Sequence, residues 1–353
     1  MNREQQVMTV RGPIAPERMG ITLSHDHLLV DGWGIRELYE AILDDEELAV
    51  AEAARYKAAG GGTICDPTNV GLRRDPAALR RISERSGVHV VMGAGWYRER
   101  VYPDYVHEEL PSQLADRLVD ELVRGAEGTG VRPGFIGEIG TERFHVTPAQ
   151  ERVFRAAGRA HARTGVPIMT HTTHWGELAV EQIDLLGEEG VDPSRIVISH
   201  LGDRPGIRHW LPIAEKGAWL DVDNLAFIGG YAPLSVRADN VAGLCAEGLV
   251  GQIMLSNDIC ELGQLSFYGG CGYDNVIVNF VPMLRERGVS DEQIHTMMVE
   301  NPAKAFAWDL SRVEALAAEA GVAIEPAPAG EPAAGDGPAG GASGAAAVAE
   351  GAA

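Results

Sequence analysis

From residue 21 to residue 256 the chain alternates short β-like runs with longer helix-like stretches, eight times without a break. The runs fall at 21–27, 63–66, 89–94, 135–139, 167–171, 195–200, 219–222 and 252–256. Helical stretches fall between and after them at 36–59, 75–86, 112–125, 147–163, 175–186, 207–216, 236–246, 274–287 and 291–307. Local chemistry marks several boundaries. Asp75-Pro76 and Thr147-Pro148 open helices, and Gly60-Gly61-Gly62 and Gly165 stop them. Pro282 predicts a kink in the stretch at 274–287. This alternation predicts an α/β chain folded as a (β/α)8 TIM barrel. A doubly wound open sheet is the alternative, and no G-x-G-x-x-G follows the first run to support its dinucleotide-binding form.

The length of 353 residues accommodates one such barrel. It divides into a lead-in at 1–20, a barrel at 21–310, a C-terminal extension at 311–325 and an Ala/Gly/Pro-rich tail at 326–353. The tail carries too few large apolar residues to offset its ordering entropy and is expected to be disordered. A formal net charge of -21 argues against nucleic acid and anionic membrane as partners. Cys65, Cys245, Cys260 and Cys271 form no C-x-x-C and read as mostly buried thiols rather than a disulfide framework. No secretory leader and no long apolar span is visible, so the expected location is cytoplasmic.

Within the first run, His25 and His27 stand two residues apart, which in a strand sends both imidazoles to one side, about 7 Å apart along the chain. Alone, that pair reads equally well as two structural histidines. In a barrel, however, the C-terminal ends of the strands share one mouth. Those positions hold His25 and His27 (first strand), Glu138 (fourth), His171 (fifth), His200 (sixth) and Asp258 (just past the eighth). Four imidazoles and two carboxylates suit two divalent metal ions. His25, His27 and Asp258 would hold one, His171 and His200 the other, with Glu138 as the bridging anion. A donor set without thiolate points to zinc first, with manganese, cobalt and iron as alternatives. The chemistry such a centre supplies is a water ionised near neutral pH that attacks an electrophilic centre. Asp258 is placed to orient that nucleophile and to carry a proton towards the leaving group.

These motifs resemble the phosphotriesterase family of the amidohydrolase superfamily. The resemblance rests on His25-x-His27, Gly-Thr-Ile-Cys-Asp-Pro-Thr at 62–68, His171-Thr172, His200-Leu201-Gly202-Asp203 and Ser256-Asn257-Asp258. Tyr268-Gly269-Gly270-Cys271-Gly272-Tyr273-Asp274 and Glu300-Asn301-Pro302-Ala303 add to it, and it spans about 8–308. It implies a binuclear hydrolase with ligand roles on the same six residues. Many relatives bridge their metals with a carboxylated lysine. Glu138 instead resembles the branch of phosphotriesterase homology and phosphotriesterase-related proteins, and needs no carbon dioxide for assembly. After the seventh strand, Asp221-Val222-Asp223 lacks the His or Arg of many relatives, although Asp203 is present as a relay or a loop cap. Relatives are often dimers, so a homodimer is among the assemblies the resemblance implies.

Substrate contacts are expected after the strands. Trp96 and Tyr97 follow the third, one of them packing and the other facing substrate. Arg98, Arg100, Arg143, His145, His174 and Arg204 lie on the same side, with Asp203 among them. So many basic groups in an acidic chain point to a small anionic substrate, or else to salt bridges with acids such as Glu142. The loop at 227–233 and the segment at 259–268 are expected to wall the pocket, the former as a mobile element. The function expected first is hydrolysis of a carboxylic ester or lactone. Phosphoester or N-acyl amide hydrolysis on the same site comes second. A non-catalytic ligand-binding barrel is the reading from another class.

Overall fold

All eight runs form strands in the computed structural model, which describes residues 5–227 and 229–324. They are β1 Ile21–Leu23, β2 Gly61–Asp66, β3 His89–Ala94, β4 Phe135–Gly140, β5 Ile168–His171, β6 Ile196–Ser199, β7 Trp219–Val222 and β8 Ile253–Leu255. They pair in chain order in one eight-stranded sheet, and each adjacent pair is parallel. With helices between them this is a (β/α)8 barrel. Every residue of β2, β3 and β4 is buried, as expected of strands covered on both faces. The tail expected at 326–353 lies outside the described residues.

The barrel interior is layered. Its lower layer is apolar, with Cys65, Val91, Phe135, Met169, Val197 and Met254 contributed by six strands. Segments near both ends of the described residues seal it from below. The lead-in forms a hairpin, Val7–Thr9 against Gly12–Ile14, which places Val7 and Ile14 in this cluster. From the other terminus Phe306 stacks on Phe135 with ring centres 5.4 Å apart. Gln6 and Trp308 exchange two backbone hydrogen bonds of 3.0 Å and tie the two ends together. The extension at 311–325 contains a helix, Ser311–Glu319, that buries Val313 and Ala317 against the helices Pro111–Arg124 and Pro148–Thr164.

The stretch at 36–59 is not one helix. Val30–Asp31 pairs antiparallel with Ile42–Leu43, with short helical turns between them, and the helix proper is Glu46–Ala58. Asp45 stops it at the N-terminus by accepting from the Leu48 N–H, and Glu37 at φ 55° breaks the chain direction earlier. The stretch at 175–186 is likewise divided, into Thr173–Gly176 and Ala179–Glu188. At Pro282 the distortion takes a particular form. A wide π-turn, Val276–Phe280, leads into Val281–Glu286, so that the loss of a proline N–H falls where the ladder has already changed register. Pro302 follows a second such turn, Thr296–Glu300.

β8 and β1 stand at the two ends of the hydrogen-bonded order, and residues beyond the strands close the seam. His25 N–H donates to Ser256 Oγ (3.0 Å), Asp258 N–H to the His25 carbonyl (3.1 Å) and His27 N–H to the Ile259 carbonyl (3.0 Å). Asp26, fully buried between the two histidines, accepts from Ser256 Oγ–H (2.6 Å), Asn257 N–H (3.2 Å) and Ile259 N–H (2.9 Å). Asp26→Ala strands these buried donors, and we expect a stability loss of about 3 kcal/mol in urea unfolding of the metal-free protein. A loss below about 1 kcal/mol would show that the backbone bonds alone hold the seam.

Candidate metal centre

Glu138 reaches the mouth through an irregularity in β4. Pairing with β5 shifts register between Ile136 and Ile139. Glu138 instead donates its N–H to the Pro67 carbonyl (3.2 Å) and accepts from Asn69 Nδ2–H (2.9 Å) at its carbonyl. Glycine is required just before it: at Gly137, φ 140°, a Cβ would lie 2.3 Å from the Met169 carbonyl oxygen. The carboxylate then points into a ring of imidazoles. Its Oε1 lies 3.6 Å from His27 Nε2. Its Oε2 lies 3.6 Å from His25 Nε2, 2.9 Å from His171 Nδ1 and 3.3 Å from His200 Nε2. Asp258 closes the ring on the other side, its Oδ1 3.7 Å from His25 Nε2 and 3.6 Å from His27 Nε2. All six expected ligands therefore converge.

Two of these six, His200 (φ 66°) and Asp258 (φ 54°), have left-handed backbone, a strained conformation for residues with a Cβ. Asp223 holds the first of them. It accepts the His200 N–H at 2.9 Å and lies 3.0 Å from His200 Nδ1 and 3.2 Å from His25 Nδ1. A carboxylate on the far nitrogen turns the near one, Nε2, towards a metal. Ser199 Oγ, 3.1 Å from His25 Nδ1, and Thr68 Oγ1, 2.7 Å from His27 Nδ1, serve the same purpose. Asp223 escaped the sequence reading, which noted only the missing His or Arg there. Its signal was the Asp221-x-Asp223 spacing, which repeats that of His25-x-His27.

His25 Nε2 is buried with no hydrogen-bond partner. An orphaned nitrogen facing two carboxylates is what a metal ligand looks like, and the residues fit a divalent cation. Three overlapping groups bring three donor atoms within 4.8 Å of one another: His25, His27 and Glu138; Glu138, His171 and His200; and His25, His200 and Asp223. Charge makes the same case. Burial pulls the His25 imidazole down, but Glu138 and Asp223 outweigh it and lift it from 6.5 to about 9. Burial would raise the Glu138 carboxyl, yet His25 and His171 hold it well below the carboxylate range. His171 falls to about 4 through burial and the neighbouring His200. The cluster is thus an anionic nest that demands positive charge, as protons or as metal.

A small cavity opens above the cluster. Of the expected substrate residues, Tyr97, His174 and Asp203 line it, and Trp96, Arg98 and Arg143 do not. Tyr97 Oη lies 3.2 Å from His171 Nε2, and His174 Nδ1 lies 3.3 Å from Asp203 Oδ2. Trp96 is buried and donates Nε1–H to Tyr105 Oη (2.9 Å), which is the packing role. Arg98 pairs with Glu142 and Arg100 with Glu37. Arg204 pairs with Glu177 at 2.8 Å, and Arg143 lies over the Phe144 ring at 4.8 Å. Tyr231 and Cys260 bring the two expected wall segments to the cavity, and Arg36 lines it without having been singled out. Tyr231 stacks edge-on against His174 at 4.9 Å.

A barrel whose mouth gathers four imidazoles around a buried glutamate has the donor set of a metal-dependent enzyme. The family model for the phosphotriesterase family matches residues 5–306, and the chain belongs to that family. It is 33% identical over 287 residues to the phosphotriesterase homology protein of Escherichia coli, covering 81% of this chain and 98% of the relative. It is 31% identical over 340 residues to the N-acetyltaurine hydrolase of Danio rerio, covering 85% and 97%. Among solved structures, a lactonase from Listeria monocytogenes superposes with a TM-score of 0.81 at 29% identity, covering 86% and 99%. The family is metal-dependent, and the family together with these neighbours indicates a hydrolase. No helix among the described residues is long and apolar enough to cross a membrane.

His25 binds its proton more tightly folded than unfolded, so its stabilisation is complete below pH 6.5 and is lost as pH rises through about 9. Asp26, lifted from 3.8 to about 7 by burial, acts in the same direction at lower pH. The chelated protein should therefore lose thermal stability between pH 6.5 and 9. Added zinc competes with those protons and should stabilise more strongly as pH rises. Calorimetric melting with and without chelator checks both trends, and a zinc effect independent of pH would remove His25 from the ligand set.

Proposed function

We propose that the chain is a hydrolase working with two divalent metal ions, zinc first among them, that cleaves a carboxylic ester or lactone. The observation that carries this reading is the reach of Glu138 across the cluster, with Oε1 towards His27 and Oε2 towards His25, His171 and His200. One carboxylate that meets imidazoles on both sides can serve as the bridging anion that two nearby cations need. When bound, such cations lower the pKa of a water and polarise the acyl oxygen. His25, His27 and Asp258 would hold one ion, and His171 and His200 the other.

The chain's own groups do the rest. Asp258 faces the imidazoles on one side and the cavity on the other, so it can orient the attacking water and carry its proton to the leaving group. His200 in particular keeps its carboxyl low against the opposing pull of burial, which leaves it ionised and ready to accept. Tyr97 reaches the cavity beside His171, where its hydroxyl can donate to the substrate carbonyl. A second reading, N-acyl amide hydrolysis, is favoured by the relatives named N-acetyltaurine hydrolase, which align over 96–97% of their own length. Both readings share one acyl-transfer geometry.

The test is a hydrolysis panel of lactones, esters, phosphoesters and N-acyl amides on metal-reconstituted protein, with metal content measured in parallel. Glu138→Ala should abolish two-metal binding and turnover together. A variant retaining both would overturn the bridge. Asp258→Asn should lower kcat by about 100-fold or more with the fold intact. Wild-type turnover in that variant would remove Asp258 from catalysis.

A further inference from the structure

Among the described residues lining the cavity, Arg36 is the only lysine or arginine. It arrives there from the insertion after β1, on the short turn Trp33–Arg36 between the two strands of the hairpin. Its guanidinium meets the walls built by the last two strands. Nη1 pairs with Glu261, Nη2 lies 3.9 Å from Cys260 Sγ, and the group sits over the Phe227 ring at 5.4 Å. About a third of the side chain remains exposed. Apart from the imidazoles, the other charged groups facing the cavity are acids, Glu138, Asp203 and Asp258.

The geometry points to Arg36 as the residue that selects substrates carrying a carboxylate or sulfonate at the end remote from the bond to be cut. This deepens the hydrolase reading above and rests on it. A guanidinium is a planar fork that pairs two-pronged with such oxyanions, and it gains strength where walls exclude water. Glu261 occupies only part of that fork and so shows how an oxyanion docks there. Its own side chain is about a quarter exposed, so water can receive it when a ligand takes its place. The aromatic face of Phe227 flanks the guanidinium and leaves its edge for hydrogen bonding. Arg36 and the cluster residues Glu138, His171, His200 and Asp258 line one and the same cavity, so a small molecule bound there can meet both the cluster and this cation.

The test compares monophenyl glutarate with its methyl ester, two phenyl esters that differ only in a terminal negative charge, by phenol release from metal-loaded protein. The wild type should prefer the anion in kcat/KM, and Arg36→Met should cut that preference by about tenfold or more. Arg36→Lys should keep part of it, since the charge stays and the fork is lost. Glu261→Gln removes the competing carboxylate and should raise the preference. If Arg36 merely staples the insertion to the wall, Arg36→Met lowers both rates together, the ratio stays constant and the proposal falls. A wild type that prefers the neutral ester also overturns it. If neither ester is cleaved, ester hydrolysis fails on its own, and calorimetric titration with glutarate decides the rest. Binding weakened about tenfold in Arg36→Met supports anion selection, and equal binding refutes it.

Discussion

The structure depends on one buried carboxylate. β8 and β1 share no ladder, and Asp26 gathers the hydroxyl and amide donors of Ser256, Asn257 and Ile259 to close the barrel between them. The same segment carries three of the six candidate ligands, His25, His27 and Asp258. Closure and ligand geometry are therefore one event. Where the ring of strands joins, the mouth acquires its metal-facing groups. A defect in the seam must reach the site, because no rigid element separates them.

Above that seam the design is electrostatic. Burial opposes charge on His25, Glu138 and Asp258, yet Glu138 and Asp223 hold His25 charged and the imidazoles hold the Glu138 and Asp258 carboxyls low, while burial and His200 leave His171 neutral. Asp223 contributes from outside the ring by setting two histidines in the orientation that frees their Nε2 atoms. Below it, Ser24 donates to Asp221 at 2.6 Å, and burial together with Asp223 pushes the Asp221 carboxyl up. Polar and apolar layers thus divide the barrel interior, with chemistry confined to the upper one.

The strands and the ligand set were legible because both follow local rules. A strand end is marked by the run that precedes it, and a barrel sends all such ends to one mouth. What escaped depends on partners distant in sequence. Arg36 reads locally as part of a helix, since its partner Glu261 lies 225 residues away. The hairpin of Val30–Asp31 with Ile42–Leu43 is too short to show a period of two. Asp223 was visible but not interpretable until His25 and His200 were placed on either side of it. Trp96 and Tyr97 were separable only by structure, because the chain turns directly after β3 and sends one indoors and the other to the cavity. The basic residues near the mouth were legible as a group and Glu142 as a partner for them, but their pairing with Glu37 and Glu177 was not.

The sealing of the barrel floor by both chain ends bears on how the molecule is made. Val7 and Ile14 enter the lower layer at one terminus and Phe306 at the other, with Gln6 bonded to Trp308. During synthesis, the hydrophobic residues at 7–14 wait for partners about 300 positions later. Until then the inner faces of the strands lie open below, and the chain is a trough rather than a vessel. Contacts of such long sequence separation make late folding slow, and they leave the unfinished protein dependent on protection of that apolar floor.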